Sequence, residues 1–405
     1  MPEPRVRFKR EDGSNYPDWN DVVLGDIATR VSRKNTNGET DRPLTIASIE
    51  GLVDQRTYFG KTIASKDMSG YFLLKNGEYA YNKSYSAGYD YGSIKRLDKY
   101  DMGALSTLYI CFALDEDQNT DFYDCYFNGL SWYNQMPQIC AEGARNHGLL
   151  NVSPNDFFKI HLSVPSSKEE QQKIADFLSS VDEVIAASAA EVQNLETQKK
   201  TVMKKIFSRE VRFKRDDGTG FPEWEEKRIG DICKTYSGGT PKAGNDDYYG
   251  GNIPFIRSGE IHGDSTELFL SEVGMKNSSA KMVAVGDIIM ALYGATSGEI
   301  DISRIEGAIN QAILCIKPDK GFNKKFIVEV FRNYKDEILK TYLQGGQGNL
   351  SAQIVQALSF DFPCLEEQNL IADFFTDFDE AIAAAKKELE LWKELKKGLL
   401  QQMFV

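Results

Sequence analysis

SKEEQQKIADFLSSVDEVIAA, residues 167–187, and CLEEQNLIADFFTDFDEAIAA, residues 364–384, are one passage written twice, with Glu169 to Gln171 matching Glu366 to Gln368 at an offset of 197. In the first copy Ile174, Leu178, Val181, Ile185, Ser188, Val192, Leu195, Lys199, Val202 and Ile206 alternate steps of four and three. The same register in the second gives Ile371, Phe375, Phe378, Ile382, Ala385, Leu389, Trp392, Lys396, Leu399 and Met403. That spacing keeps one apolar stripe on one side of a helix and, sustained this long, marks a coiled-coil seam. One stripe alone would suit an ordinary amphipathic helix. Two in a common register supply each other with a partner, which predicts two paired helices of about 40 residues, ~60 Å long at 1.5 Å per residue. Lys199 and Lys396 fall at matching seam positions, where a polar group fixes alignment at some cost in stability.

A second repeat lies before each remaining stretch. Val6-Arg7-Phe8-Lys9-Arg10 recurs as Val211-Arg212-Phe213-Lys214-Arg215 at an offset of 205, and the match continues through Trp19 and Gly25-Asp26-Ile27 to Trp224 and Gly230-Asp231-Ile232. The charged run by itself suits a solvated linker better than a phosphate clamp. The first long helix runs through Ile206-Phe207 straight into this element, whereas the second stops at Met403-Phe404 and the other copy of the element stands at the chain start. Start and end are therefore expected close together, as in a ring cut open at one point.

Four segments follow: a globe over 1–165, a central helix over 166–208, a second globe over 209–363 and a C-terminal helix over 364–405. The globes differ in sequence. Short β-type runs punctuated by Gly, Asn, Asp and Ser cover Leu44 to Ile49, Gly77 to Tyr81 and Leu108 to Leu114 in the first, and Ile253 to Arg257, Asp287 to Leu292 and Ala308 to Ile316 in the second, with a helix over Phe326 to Leu343. The expected fold class is α/β: two mixed α/β globular domains separated by two long antiparallel coiled-coil helices, with a pseudo-twofold internal repeat.

At 405 residues and 41% hydrophobic composition, two or three domains with real cores are expected. The first residues contain no apolar signal region and there is no apolar run of membrane-spanning length, so a cytoplasmic protein with no membrane role is expected. Cys111, Cys125, Cys140, Cys233, Cys315 and Cys364 are scattered without a C-x-x-C pair, which points to reduced thiols rather than a disulfide framework or a zinc site. The formal net charge of -12, with no segment basic overall, leans against nucleic acid unless positive charge is locally concentrated or partners complete the surface.

Catalytic signals are absent. Asn252-Ile253-Pro254-Phe255 has the form of an adenine-methyltransferase turn, but a polar stretch precedes it and no glycine-rich cofactor loop is present, so it reads as the start of a strand. There is no phosphate-binding G-x-x-x-x-G-K-[ST] loop and no H-E-x-x-H. His161, in the apolar run KIHLSVP, reads as a structural histidine.

Polar, glycine-bearing loops suit close approach to a nucleic acid instead. In the second globe the candidates are Thr240 and Lys242 of SGGTPK, Arg257 and Ser258, Tyr293 and Thr296 of YGATSG, Asn310 and Gln311, and Gln344, Gln347 and Asn349. In the first they are Lys34, Lys61, Asn82, Lys83 and Ser84, and Arg145, Asn146 and His147. Arg and Lys can read guanine, Asn and Gln adenine, while Gly and Ser admit a phosphate to the backbone. Each loop alone is ordinary turn chemistry, so the grouping carries the reading.

The arrangement resembles the DNA-specificity (S) subunit of type I restriction-modification systems. PSSKEEQQKIADFL and PCLEEQNLIADFF are similar to that family's repeated spacer helices. SGGTPKAGNDDYYGGNIPFIRSGEI, GATSG, AINQ and GQGNLS are similar to its target-recognition signatures, while the first globe keeps only GEYAYNKS and EGARNHGLLNVS in similar places. The resemblance implies a noncatalytic subunit that recognises a bipartite double-stranded DNA target, one half-site per target-recognition domain, with the helix pair setting the gap. It implies two adenine methyltransferase subunits as partners, bringing S-adenosylmethionine, and an ATP- and Mg-dependent restriction subunit beside them, with no cofactor in this chain. Partner subunits enclosing the DNA would account for the acidic composition. Two other readings stay open on the residues alone: a stand-alone methyltransferase acting through Asn252 to Phe255, and a coiled-coil scaffold with two protein-binding globes.

Overall fold

The computed structural model describes residues 4–48, 50–61, 63–86, 88–140, 150–343 and 349–404, and the chain divides into two units, 1–189 with 387–405, and 190–386. Two long helices, Lys168–Phe207 and Leu365–Met403, each contribute residues to both units. The seam predicted from the sequence is the covered face. Between Val181 and Lys199 only Val181, Ile185, Ser188, Val192, Leu195, Glu196 and Lys199 escape full exposure. Between Ile382 and Lys396 only Ile382, Ala385, Leu389, Trp392 and Lys396 do.

Within the first unit the helical segments run antiparallel. Ile174 and Leu178 share a core with Met403, and further along Lys396 Nζ donates to Asp182 Oδ1 at 2.5 Å. Within the second unit they are again antiparallel: Phe207 stacks on Phe375 with centroids 6.4 Å apart, and Lys199 Nζ donates to Asp379 Oδ1 at 2.8 Å with Glu329 at 3.2 Å. Lys199 and Lys396, and Asp182 and Asp379, are both related by the 197-residue offset. Each unit therefore makes the same ion pair with the partners exchanged, and a slip by one turn in either would separate the charges.

A buried carboxylate sets the start of each long helix. The Glu170 and Glu367 side chains are 0% exposed. Arg7 Nε reaches Glu170 at 2.7 Å and Arg212 Nη2 reaches Glu367 at 3.0 Å. The indole N–H groups of Trp19 and Trp224 donate to the same carboxylates at 3.4 and 3.1 Å. Each arginine also donates to a backbone carbonyl, of Pro17 or Pro222, and Phe8 and Phe213 meet Phe177 and Phe374 edge-on at 5.6 Å. The repeated RFKR element is thus no solvated linker: its first arginine neutralises a charge that water cannot reach.

The expected closure of the chain is present inside the first unit, where the Arg5 and Val6 amides donate to the Gln402 carbonyl at 2.9 and 3.1 Å. In the second unit the Val211 amide donates at 3.2 Å to the carbonyl of Lys205, which lies 197 residues before Gln402. Hydrogen bonds do in one place what the continuous chain does in the other.

The globes share more than their sequences suggest. In the first unit an antiparallel sheet runs in the order Ala28–Arg30, Ile110–Leu114, Tyr79–Asn82, Ser93–Arg96. In the second the order is Cys233–Ser237, Ile313–Pro318, Ile288–Ala291, Ile300–Ile302. Each also has a ribbon that delivers the chain to a long helix, Trp19–Val23 with His161–Pro165 and Glu225–Arg228 with Ser359–Phe362. The first unit adds two antiparallel pairs, the hairpin Leu44–Ala47 with Gly51–Asp54 and the longer-range pair Phe72–Lys75 with Met102–Leu105. The second adds a sheet in which Tyr249–Ile256 and Gly307–Ile309 are parallel. The single run expected over Ala308 to Ile316 is two strands, because the Asn310 side chain accepts from the Ala312 amide at 3.0 Å and turns the chain between sheets. Aromatic cores close each frame, with Tyr79, Phe112, Phe127, Trp132 and Phe157 in the first and Phe326, Phe331, Phe360 and Phe375 in the second.

Removing one partner of a buried pair strands the other, so Arg212→Ala is expected to lower stability by about 3 kcal/mol. Lys386→Ala, which removes an exposed pair with Glu196, should cost less than about 1 kcal/mol. Equilibrium urea unfolding of the two variants checks the contrast; equal losses would show that the Glu367 clamp contributes nothing special.

Candidate nucleic-acid interface

In the second unit the loops singled out by composition come together at one edge. Ser237 ends its strand opposite Leu314, Ala291 ends its strand opposite Ile313, and Ile300 begins its strand opposite Met290. The loops that carry Thr240 and Lys242, Tyr293 and Thr296, and Asn310 and Gln311 therefore all leave the same end of the sheet. Asn349 joins them, since the Leu350 amide donates to the Leu292 carbonyl at 2.9 Å and the Leu292 amide to the Ala312 carbonyl at 2.8 Å. Arg257 and Ser258 arrive from the neighbouring sheet, where Ile256 and Ile309 end side by side. Gln344 and Gln347 lie outside the described residues.

The loops are packed closely enough to hold their shape. A Cβ on Gly238 would lie 1.8 Å from the Ile309 carbonyl oxygen, and one on Gly239 1.9 Å from Ser279 Oγ. The Gly238 amide donates to the Asn310 carbonyl at 3.2 Å, and the Tyr249 hydroxyl donates to the Pro241 carbonyl at 3.0 Å. The side chains divide into those turned inward and those left outward. Arg257 is engaged by Glu260 at 3.0 Å and Glu267 at 2.5 Å, contacts that raise its already high pKa. Asn310 is spent on its own turn. Thr240, Lys242, Gln311 and Asn349 are exposed, and Tyr293 and Thr296 are half-buried. Sequence reasoning missed Ser279 and its neighbours Asn277 and Lys281, exposed on the same edge because Lys281 pairs with Ile309. Their only signal was an Asn-Ser-Ser turn before a short strand.

The first unit repeats the arrangement. Asn82 ends its strand opposite Ser93, Tyr81 lies opposite Ile110, and the Val31 amide donates to the Cys111 carbonyl, so the segment leading to Lys34, the Asn82-Lys83-Ser84 turn and the Ile110 strand start share an edge. The Leu150 amide donates to the Lys83 carbonyl at 2.9 Å, the counterpart of Leu350 on Leu292. Asn82 Oδ1 accepts from the Ser84 amide at 3.0 Å, and burial lowers the pKa of the half-buried Lys83. Lys34 is turned onto the fold, donating to the Gly70 carbonyl at 3.0 Å and lying 3.9 Å from the Phe72 ring centroid. Lys61 is exposed beyond the short helix Gln55–Phe59 and is not tied to this edge. Arg145, Asn146 and His147 lie outside the described residues. A serine group the sequence did not flag, with Ser48 Oγ 2.9 Å from Ser86 Oγ and 3.5 Å from Ser93 Oγ, sits beside the Asn82 turn.

Two sequence readings shift. Asn252 to Phe255 lie inside the strand Tyr249–Ile256 and not at its start, at a register break between Tyr249 and Ile253, with Pro254 opposite Phe269 and Phe255 opposite Ala308. His161 is an exposed strand residue whose Nδ1 lies 2.9 Å from Asp21 Oδ2, so it serves a surface pair rather than a core. Among the described residues no group of His, Cys, Asp and Glu is arranged to hold a metal, and no helix is long and apolar enough to cross a membrane.

Comparison with known proteins matches this architecture to one family. Residues 17–197 and 222–391 each fit the model of the type I restriction modification DNA specificity domain, so the chain belongs to that family. The relatives it matches are named as specificity subunits of type I restriction enzymes. It is 23% identical over 302 residues to the type I restriction enzyme EcoR124I/EcoR124II specificity subunit of Escherichia coli, covering 72% of this chain and 71% of that one. It is 26% identical over 204 residues to the MjaVIII specificity subunit of Methanocaldococcus jannaschii, covering 49% and 46%. The chain spans about half the length of the Methanocaldococcus relatives it matches. The fold is shared with the solved type I S subunit from M. genitalium, at a TM-score of 0.55, 14% identity and 100% and 99% coverage of the two chains. It is shared also with a solved chain from work on assembly and conformational transition of a type I R-M system, at 0.60, 17%, 96% and 98%.

Because the atom next to Gly238 is backbone and cannot rotate away, Gly238→Ala is expected to cost about 2 kcal/mol through overpacking. Gly244→Ala, on the same loop at φ +79 with open space around its Cβ, should cost about 1 kcal/mol through backbone strain alone. Thermal unfolding of both variants checks the order; the reverse order would show that the loop relaxes freely.

Proposed function

We propose that this chain is the DNA-reading subunit of a type I restriction-modification complex, in which each target-recognition domain reads one half of a bipartite double-stranded target and the helix pair fixes the gap between halves. The observation that carries this reading is that two globes of unlike sequence use the same sheet order and send their polar loops from the same strand ends. A frame held constant under variable loops is what two readers of different sequences require. The seam supports the spacer role, since a continuous helix of 40 residues is ~60 Å long, well over one duplex turn of about 34 Å. The partners in this reading are DNA, two adenine methyltransferase subunits that carry S-adenosylmethionine, and a restriction subunit that uses ATP and Mg. Partner subunits that enclose the DNA would also add positive charge to a chain whose formal net charge is -12.

The spacer role is tested by removing one heptad from each helix, 185–191 together with 387–393, which keeps the Asp182–Lys396 and Lys199–Asp379 pairs on either side. The loss of ~10 Å of helix should shorten the recognised gap by about 3 base pairs and leave both half-sites unaltered. Methylome sequencing of cells carrying the variant and its methyltransferase subunits reads this directly. Altered half-site letters at an unchanged gap would sink the ruler. Independence of the readers is tested by exchanging 20–165 for the matching segment of another specificity subunit: one half-site should change, and a change in both would show the readers are coupled.

A further inference from the structure

Among the described residues at the loop edge of the second unit, Gln311 presents a hydrogen-bonding face that is both outward and fixed. Gln311 is exposed, and the Thr240 hydroxyl donates to its Oε1 at 2.6 Å. The loops carrying the two residues are themselves locked, since the Gly238 amide donates to the Asn310 carbonyl and Gly238 has no room for a side chain beside Ile309. Asn310, next to Gln311, has its Oδ1 occupied by the Ala312 amide, which fixes the turn from which Gln311 projects. The alternatives on this edge lack such definition. Arg257 is bound by two carboxylates, Lys242 is a flexible point charge, and the Ser297 hydroxyl donates inward to the Leu292 carbonyl.

A glutamine amide places a donor beside an acceptor. With one Oε1 lone pair taken by Thr240, Gln311 keeps its second lone pair and both N–H groups, and no other described residue engages them. That pair of groups matches the major-groove edge of adenine, whose N7 accepts and whose N6 donates. On guanine both N7 and O6 accept, so one of the two contacts is lost. An exposed glutamine free to rotate would sample both orientations and discriminate poorly; the Thr240 hydroxyl removes that freedom before DNA arrives.

We propose that Gln311 reads an adenine in the half-site of the second domain and that Thr240 is its positioning residue. This rests on the DNA-reading function proposed above and narrows it to one base position.

The test compares methylomes of cells expressing the wild-type chain or a variant with its methyltransferase subunits, with co-purification of the subunits confirming assembly. Gln311→Ala should relax one adenine position of one half-site to several bases, with discrimination there falling roughly ten- to hundred-fold, while the other half-site and the gap stay as they were. Thr240→Val should relax the same position to a smaller degree, and Thr240→Ser, which keeps the hydroxyl, should restore it. Gln311→Glu, which can only accept, should move the preference toward cytosine and serves as the second probe should the alanine variant fail to assemble. An unchanged motif in an assembled Gln311→Ala complex, a change at a position other than adenine, or a uniform loss of methylation without altered letters would each overturn the assignment while leaving DNA reading intact. If the wild-type chain confers no bipartite motif, the DNA-reading function itself falls and takes the assignment with it.

Discussion

A carboxylate taken fully out of water must be matched by a charge and by hydrogen bonds, or the fold that buries it is lost. Glu170 and Glu367 impose that condition at the first turn of each long helix, and Arg7 with Trp19 and Arg212 with Trp224 meet it. Because each arginine sits in the element that opens a globe and each glutamate in the helix that closes it, satisfying the charge fastens globe to helix. The ribbon ending at Pro165 or Phe362 feeds the same turn: the side-chain amides of Gln171 and Gln368 donate to the Pro165 and Pro363 carbonyls at 2.9 and 2.8 Å. Ion pair, indole contacts and amide bonds leave the globe one seat on its helix.

The rest of the architecture divides into what must stay and what is free to vary. Strand order, the delivering ribbons and the helix starts are common to both units. The loops leaving the strand ends are not. In the second unit they are tied to one another through Gly238, Asn310, Leu292 and Leu350; in the first, a serine cluster and the Lys83 carbonyl take those places. Part of the polar chemistry visible at these edges is spent on holding the loops, as Arg257 and Lys34 illustrate.

How much of this was legible beforehand depended on how local the signal was. The seam was read residue by residue, because its period is a property of one helix and every predicted seam position is covered. The partners of the seam lysines were not read, since Asp182 and Asp379 stand outside the apolar stripe and only pairing reveals them. The common sheet was hidden because loop lengths differ. Equivalent strands begin 205 residues apart at Ala28 and Cys233, 209 at Tyr79 and Ile288, and 203 at Ile110 and Ile313, so no single offset aligns them. The strand break at Asn310 was masked by apolar residues on both sides, and the exposure of His161 by the run around it. At the candidate interface, composition located the loops, but the direction of each polar atom depended on neighbours distant in sequence.

The exchanged ion pair has a consequence of its own. The central helix alone contains both members of it, Asp182 and Lys199, as the C-terminal helix contains Asp379 and Lys396. A fragment ending near Phe207 would thus be self-complementary, since two copies laid antiparallel could set Asp182 of each against Lys199 of the other. Such a homodimer would be closed, with two identical globes joined through one contact made twice.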